Sequence, residues 1–150
     1  MVRARGGSTR KTAAREQLPS RGDAEVLLDV ELADGMLWLV LINPSDQTAF
    51  NVSVAFRRPL WGIGGERDIA QMSLFRGLPL LRPKREIRVL IDVARHLLAR
   101  RQSTRVEARV SWQSRAGERF AQTFKHDLAI WKDFGEVVQG SAATAAPPPT

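Results

Sequence analysis

Residues Arg105–Gln113 (RVEARVSWQ) put Val106, Ala108, Val110 and Trp112 on one side of an extended chain and Glu107, Arg109, Ser111 and Gln113 on the other. Side chains along a strand alternate with period two, so this pattern specifies a strand with one buried face. The alternation recurs. Ala24–Leu32 aligns Val26, Leu28, Val30 and Leu32 against Leu27, Asp29 and Glu31. Ala49–Phe56 aligns Phe50, Val52, Val54 and Phe56, Glu86–Ile91 aligns Ile87, Val89 and Ile91, and Arg119–Leu128 aligns Phe120, Phe124 and Leu128. Met36–Ile42 (MLWLVLI) is apolar throughout and suits a central strand covered on both sides, with Trp38, like Trp112, in the core.

Turn residues separate these runs: Ala33-Asp34-Gly35, Asn43-Pro44-Ser45-Asp46, Arg82-Pro83 and Ser114-Arg115-Ala116-Gly117. The last is a hairpin turn, with a glycine where positive φ is tolerated. Between Arg57 and Gln71 lies an irregular stretch with Pro59, Gly62, Gly64 and Gly65. Ile69–Leu81, broken by Gly77 and Pro79, reads as loop with room for one short strand. Asp92–Arg101 is the one helical candidate, with Asp92 as its cap, Val93 and Leu97 one turn apart, and Arg100 and Arg101 at the negative end of the dipole. Six or seven short strands and one short helix predict an all-β fold, a two-sheet antiparallel sandwich. The strands are not separated by the helices of 10–15 residues that a parallel α/β sheet needs.

Charge divides the 150 residues into three parts. Residues 1–22 carry Arg3, Arg5, Arg10, Lys11, Arg15 and Arg21 against Glu16 alone, and their few apolar residues are mostly alanine. Such a segment cannot bury enough surface to offset its ordering entropy, so it reads as a disordered basic arm. Residues 23–135 form the sandwich domain with 17 basic and 14 acidic side chains, and residues 136–150 form a disordered Ala/Pro-rich tail. No apolar h-region follows the first arginines, and the longest apolar run has seven residues, too short to span a membrane. The expected compartment is therefore the cytoplasm. Without cysteine, disulfides and thiolate metal sites are excluded.

The order of turns and core residues carries a resemblance. Leu41-Ile42-Asn43-Pro44-Ser45-Asp46 ends one strand, Ala49-Phe50-Asn51-Val52 opens the next, Leu81-Arg82-Pro83-Lys84-Arg85-Glu86-Ile87 leads into another, and Val110–Phe120 holds a V-x-W…G-x-x-F hairpin. Over roughly Asp23–Trp131 this resembles the immunoglobulin-like modules, fibronectin-like and cell-adhesion-related, of many uncharacterised bacterial proteins. Related modules often read Leu-x-Pro-Gly where this chain has Lys84, and the antibody-type Cys…Trp…Cys signature is absent. The resemblance implies a binding or spacer module and transfers no catalytic residue.

Reaction chemistry finds little footing. His96 and His126 stand apart, with no H-x-x-x-H or H-E-x-x-H spacing. Ser45, Ser53, Ser73 and Ser111 lie in no G-x-S-x-G elbow. Asp29 and Glu31 read as a solvated face, and Glu66 and Asp68 as a local ion pair with Arg67. Gly62-Ile63-Gly64-Gly65-Glu66 matches neither a dinucleotide nor a Walker loop and reads as part of a long flexible loop. No cofactor or metal is expected, and the chain is not expected to be an enzyme.

Binding is the expectation that remains. Arg57, Arg58 and Trp61 place two common interface anchors in an irregular segment. Trp61 has two readings, an exposed anchor or a plug for the open end of the sandwich. The scarcity of exposed tryptophan weighs toward the plug. The expected function is a non-enzymatic protein-interaction module acting through a sheet edge or the 57–71 loop. The alternative is a nucleic-acid-associated protein whose arm contacts phosphates through Arg3, Arg5, Arg10, Lys11 and Arg15. Arg82, Lys84 and Arg85 would join Arg100, Arg101 and Arg105 in a basic patch if the fold brought them together.

Overall fold

In a computed structural model, residues 16–133 are described. They are mostly β. Strands β1 (Leu27–Ala33), β2 (Met36–Ile42) and β3 (Ala49–Phe56) are followed by a two-residue hairpin, β4 (Trp61–Gly62) and β5 (Arg67–Asp68). A 3-10 turn (Ile69–Gln71) and helix α1 (Ser73–Arg76) lead into β6 (Leu78–Leu81) and β7 (Glu86–Val93). Helix α2 (Ala94–Ala99), β8 (Arg105–Gln113), β9 (Arg119–Asp127) and a second 3-10 turn (Leu128–Trp131) complete the order. One antiparallel sheet runs β1-β2-β7 and another runs β6-β3-β8-β9.

Both sheets contribute to one core, because each has one apolar face to remove from water. Leu28, Val30, Leu37, Leu39, Leu41 and Ile91 meet Val52, Val54, Val106, Val110, Trp112 and Phe120 there. Trp112 stacks on Phe120 at 5.9 Å between ring centroids, and its indole N–H donates to Ala24 O at 2.9 Å. The expected faces of β1, β8 and β9 agree with this packing.

Two bulges reset the alternation. Asn51 adopts φ 49°, and the β3–β8 register shifts between Phe50 and Ser53. Asparagine tolerates the left-handed region better than most residues. One extra residue reverses parity, so Phe50 shares a face with Gln113 rather than with the core. The Arg115 guanidinium lies 5.3 Å from its ring centroid. The expectation that Phe50 lines up with Val52 and Val54 is corrected accordingly. The second bulge lies where Leu37 and Trp38, adjacent in β2, face Asp92 and Leu90 across Ile91 in β7. It sends Asp92, which strict alternation would turn outward, into the interior at 4% exposure.

Other expectations change with this register. Asp92 belongs to β7, so it does not cap a helix. Helix α2 starts at Ala94 after Val93, with no side-chain cap. Trp38 is only half-buried, on the outer face of β2, with the Arg88 guanidinium 5.3 Å from its ring centroid and Glu31 Oε1 2.9 Å from Arg88. Glu16 and Gln17, assigned to the disordered arm, lie against a sheet. Gln17 forms a parallel bridge to Phe120, and Glu16 pairs with Arg109. Arg82, Lys84 and Arg85 precede the eight-residue strand β7, whereas Arg100, Arg101 and Arg105 follow it. At roughly 3.3 Å per residue about 25 Å separates the two groups, and no joint patch forms.

Sheet edges are blunted individually. At β1, Asp29 Oδ1 accepts from Val30 N at 2.8 Å and His126 Nε2 donates to Leu28 O at 2.8 Å. Gln17 covers part of β9, and β6 is short and contains Pro79, which has no N–H. At β7, Ile63 N donates to Ile91 O at 2.8 Å.

Among the described residues Asn43 is the one fully buried side-chain amide, at 0% exposure. Its Nδ2 donates to Gln47 O (2.8 Å) and Leu81 O (2.9 Å), and its Oδ1 accepts from Ser45 N (3.0 Å) and Ser45 Oγ (2.7 Å). It thereby joins the exit of β2 to the end of β6 in the other sheet. Nearby, Lys84 holds φ 61° after Pro83, and Arg85 N donates to Arg82 O at 3.2 Å. Positive φ at the third position of such a turn ordinarily calls for glycine. The Lys84 ammonium compensates by donating to Pro44 O at 2.7 Å. Replacing Asn43 with alanine strands several buried partners, with an expected loss of about 3 kcal/mol and a Tm roughly 10 °C lower by calorimetry. An unchanged Tm would show that the network contributes nothing net.

Candidate functional site

The irregular stretch after β3 folds into a hairpin whose shape is set by one glycine and one buried ion pair. A Cβ on Gly62 would lie 2.1 Å from Ile91 O, so only glycine lets this backbone reach the bulged carbonyl of β7. Ile63, Gly64 and Gly65 then turn the chain with φ of 50°, 73° and 82°. Positive φ is unfavourable for a β-branched residue and costs on the order of 1–2 kcal/mol. What offsets it is Asp92 below. Asp92 Oδ2 accepts from Gly64 N at 3.0 Å and from the Arg100 guanidinium at 2.8 Å. Arg100 also donates to Trp61 O at 3.2 Å, and Gln102 Nε2 donates to the same oxygen at 2.9 Å. The expected flexible loop is thus a clamped hairpin, held from β7 and from the segment after α2.

The clamp presents side chains outward. Trp61 is 43% exposed and Ile63 45%. The plug reading of Trp61 is therefore corrected. Its neighbour Leu60, 3% exposed, fills the core instead, fixed by Leu60 N donating to Asp68 Oδ1 at 2.9 Å. Asp68 Oδ1 also accepts from Ala70 N at 3.0 Å, capping the 3-10 turn. Neither Asp68 nor Glu66 pairs with Arg67 among the described residues, so the expected local ion pair is not formed.

Arg57 and Arg58 point elsewhere. The Arg57 guanidinium sits 3.5 Å from Glu107, and Arg58 Nη1 donates to Ser103 Oγ at 3.2 Å. Together they border a groove of about 390 Å³ with Pro59, Ala70, Gln71 and Arg76. Arg58 also borders a second groove of about 420 Å³ with Arg105, Lys125, His126 and Asp127. Trp61 lines neither. The three residues singled out by sequence share one end of the domain but not one pocket. Arg3, Arg5, Arg10, Lys11 and Arg15 lie outside the described residues. Sequence reading missed Ile63, Arg67, Asp92 and Arg100. The place itself was marked, as the 57–71 loop, by Trp61 and the glycines at 62, 64 and 65.

In the second groove Asp127 is held below the usual carboxylate range, first by the Thr104 hydroxyl donating at 2.7 Å and then by Ala129 N at 3.0 Å. His126 is committed to Leu28 O, and His96 is exposed in the last turn of α2. Among the described residues no three His, Cys, Asp or Glu side chains are gathered for a metal, and no helix is long and apolar enough to cross a membrane.

Comparison with known proteins finds one family for this chain. The family described as Domain of unknown function (DUF8453) matches residues 3–132, and the chain belongs to it. The match runs from Arg3 through the clamped hairpin to the second 3-10 turn. No curated protein sequence and no solved structure matches.

Two outcomes are expected. Gly62→Ala drives a methyl group into Ile91 O, so the variant loses about 2 kcal/mol and the Ile63 amide loses protection in hydrogen exchange. Wild-type protection in the variant would mean that the close approach does not hold the tip. A carboxylate with a depressed folded pKa adds stability above its unfolded value, near 4, and loses it as pH falls through the folded one. Wild type should therefore melt above Asp127→Asn at pH 7, with the gap narrowing as pH falls below about 4. A gap independent of pH would assign the effect to shape rather than charge.

Proposed function

We propose that this chain is a non-enzymatic interaction module of immunoglobulin-like sandwich architecture, binding a protein partner through a sheet edge or the 57–71 loop. The architecture is supported by the strand orders β1-β2-β7 and β6-β3-β8-β9 around a shared core. Counting only the seven strands of these two sheets, each sheet mixes early and late segments, as Greek-key sandwiches do. Such folds host many activities, so the functional claim rests on the site and not on the fold.

The observation that carries it is the hairpin tip. Trp61 and Ile63 stand in solvent on a backbone that is strained at Ile63 and held by the buried Asp92 paired with a half-buried Arg100. Exposing two large apolar side chains costs solvation, and holding Ile63 at positive φ costs conformational energy. Docking recovers the solvation cost, and because the tip is preorganised, little side-chain or loop entropy remains to be lost.

The test uses the full chain as bait in an extract of its native host, with bound proteins measured by quantitative mass spectrometry. Trp61→Ala and Ile63→Gly should each reduce a specific partner's recovery by at least roughly tenfold. Ile63→Gly also relieves the backbone strain, so its Tm should stay within about 3 °C of wild type. Equal recovery by wild type and both variants, at unchanged Tm, would refute docking through the tip.

A further inference from the structure

We propose that the partner presents an extended segment in which apolar side chains alternate with carboxylates, and that this segment pairs with the free stretch of β7 while filling the groove beside the hairpin. The inference rests on the docking reading above and adds the chemistry of the partner.

Strand β7 pairs with β2 on one side only. On the other side, Ile63 N takes Ile91 O, and from Glu86 to Leu90 no strand or loop bond is made among the described residues. Beside this stretch lies a groove of about 280 Å³, lined by Ile63, Ile69, Met72 and Leu90 together with Arg67 and Arg88. No carboxylate lines it. The two candidate surfaces, a sheet edge and the 57–71 loop, therefore meet at one place.

An added strand would satisfy the waiting backbone groups of β7, and period two would direct every second side chain toward the groove. The apolar walls select aliphatic groups at those positions. Charge selects the rest. Arg88 already lies between Glu31 at 2.9 Å and Glu86 at 3.5 Å. Arg67 is exposed and has no carboxylate within ion-pair distance among the described residues. An acidic side chain beside the aliphatic one complements it. A polynucleotide fits less well, because the groove has no aromatic face for stacking.

The probe is a phage-displayed library of random octapeptides, selected on the immobilised full chain and then synthesised for affinity measurement. Enriched peptides should alternate aliphatic residues with Asp or Glu. Their affinity should fall roughly tenfold or more on Arg67→Glu, and by a similar factor when the peptide backbone is N-methylated at alternate residues. Amide shifts on binding should centre on Ile63, Arg67 and Val89. Enrichment of basic peptides, of peptides indifferent to both changes, or of none at all would overturn the proposal. Peptides lost on Trp61→Ala but indifferent to Arg67→Glu would also overturn it, while leaving docking through the hairpin tip intact. Loss of the native partner on Trp61→Ala alongside an empty library selection would separate the two claims in the same way.

Discussion

A strand gives its side chains to two faces in strict alternation, and this chain has one core to fill. Every local choice must serve that parity, and the fold departs from it at two points. At Asn51 the extra residue turns Phe50 outward while keeping Val52 and Val54 inside. At Ile91 it turns Asp92 inward and frees a carbonyl to reach the hairpin. The first bulge adjusts the packing of a sheet. The second creates the only buried carboxylate among the described residues, and the candidate site is built upon it.

The energetics of that site run in a definite direction. A buried ion pair is a poor source of net stability, since desolvation consumes much of the Coulomb attraction. Its better use is to specify geometry. Asp92 accepts both from Arg100 and from Gly64 N, while Arg100 continues to Trp61 O, so one pair fixes both ends of the tip. Strain at Ile63 and exposure of Trp61 persist because hydrogen bonds from two other segments over-determine the loop. Asn43 works comparably at the opposite end of β2, where four short hydrogen bonds hold a non-repetitive turn in place between the sheets.

Much of the framework was legible because its causes are local. The bounds of β2, β3 and β8 are those expected from alternation and turn residues, and Gly117 adopts the positive φ expected of its hairpin. Lys84 adopts positive φ as well, which its side chain alone would not suggest but its place after Pro83 does. The candidate site was only half legible. Arg58 and Trp61 drew attention as residue types, yet Arg58 borders two grooves and Trp61 neither of them, and Leu60 rather than Trp61 plugs the core. Nothing in the composition of Ile63 or Arg67 distinguishes them from other exposed residues of a loop.

By itself the sequence determined a β-rich chain with its strand spacing, its turns and a basic N-terminal stretch, because alternation, proline, glycine and charge act over a few residues. Only the tertiary structure decided which side of a bulge Asp92 faces, whether Trp61 is covered, and that Arg82 and Arg100 end up at opposite ends of a strand. Those outcomes depend on which surfaces distant segments bring together, and a pattern of period two contains no information about its partners.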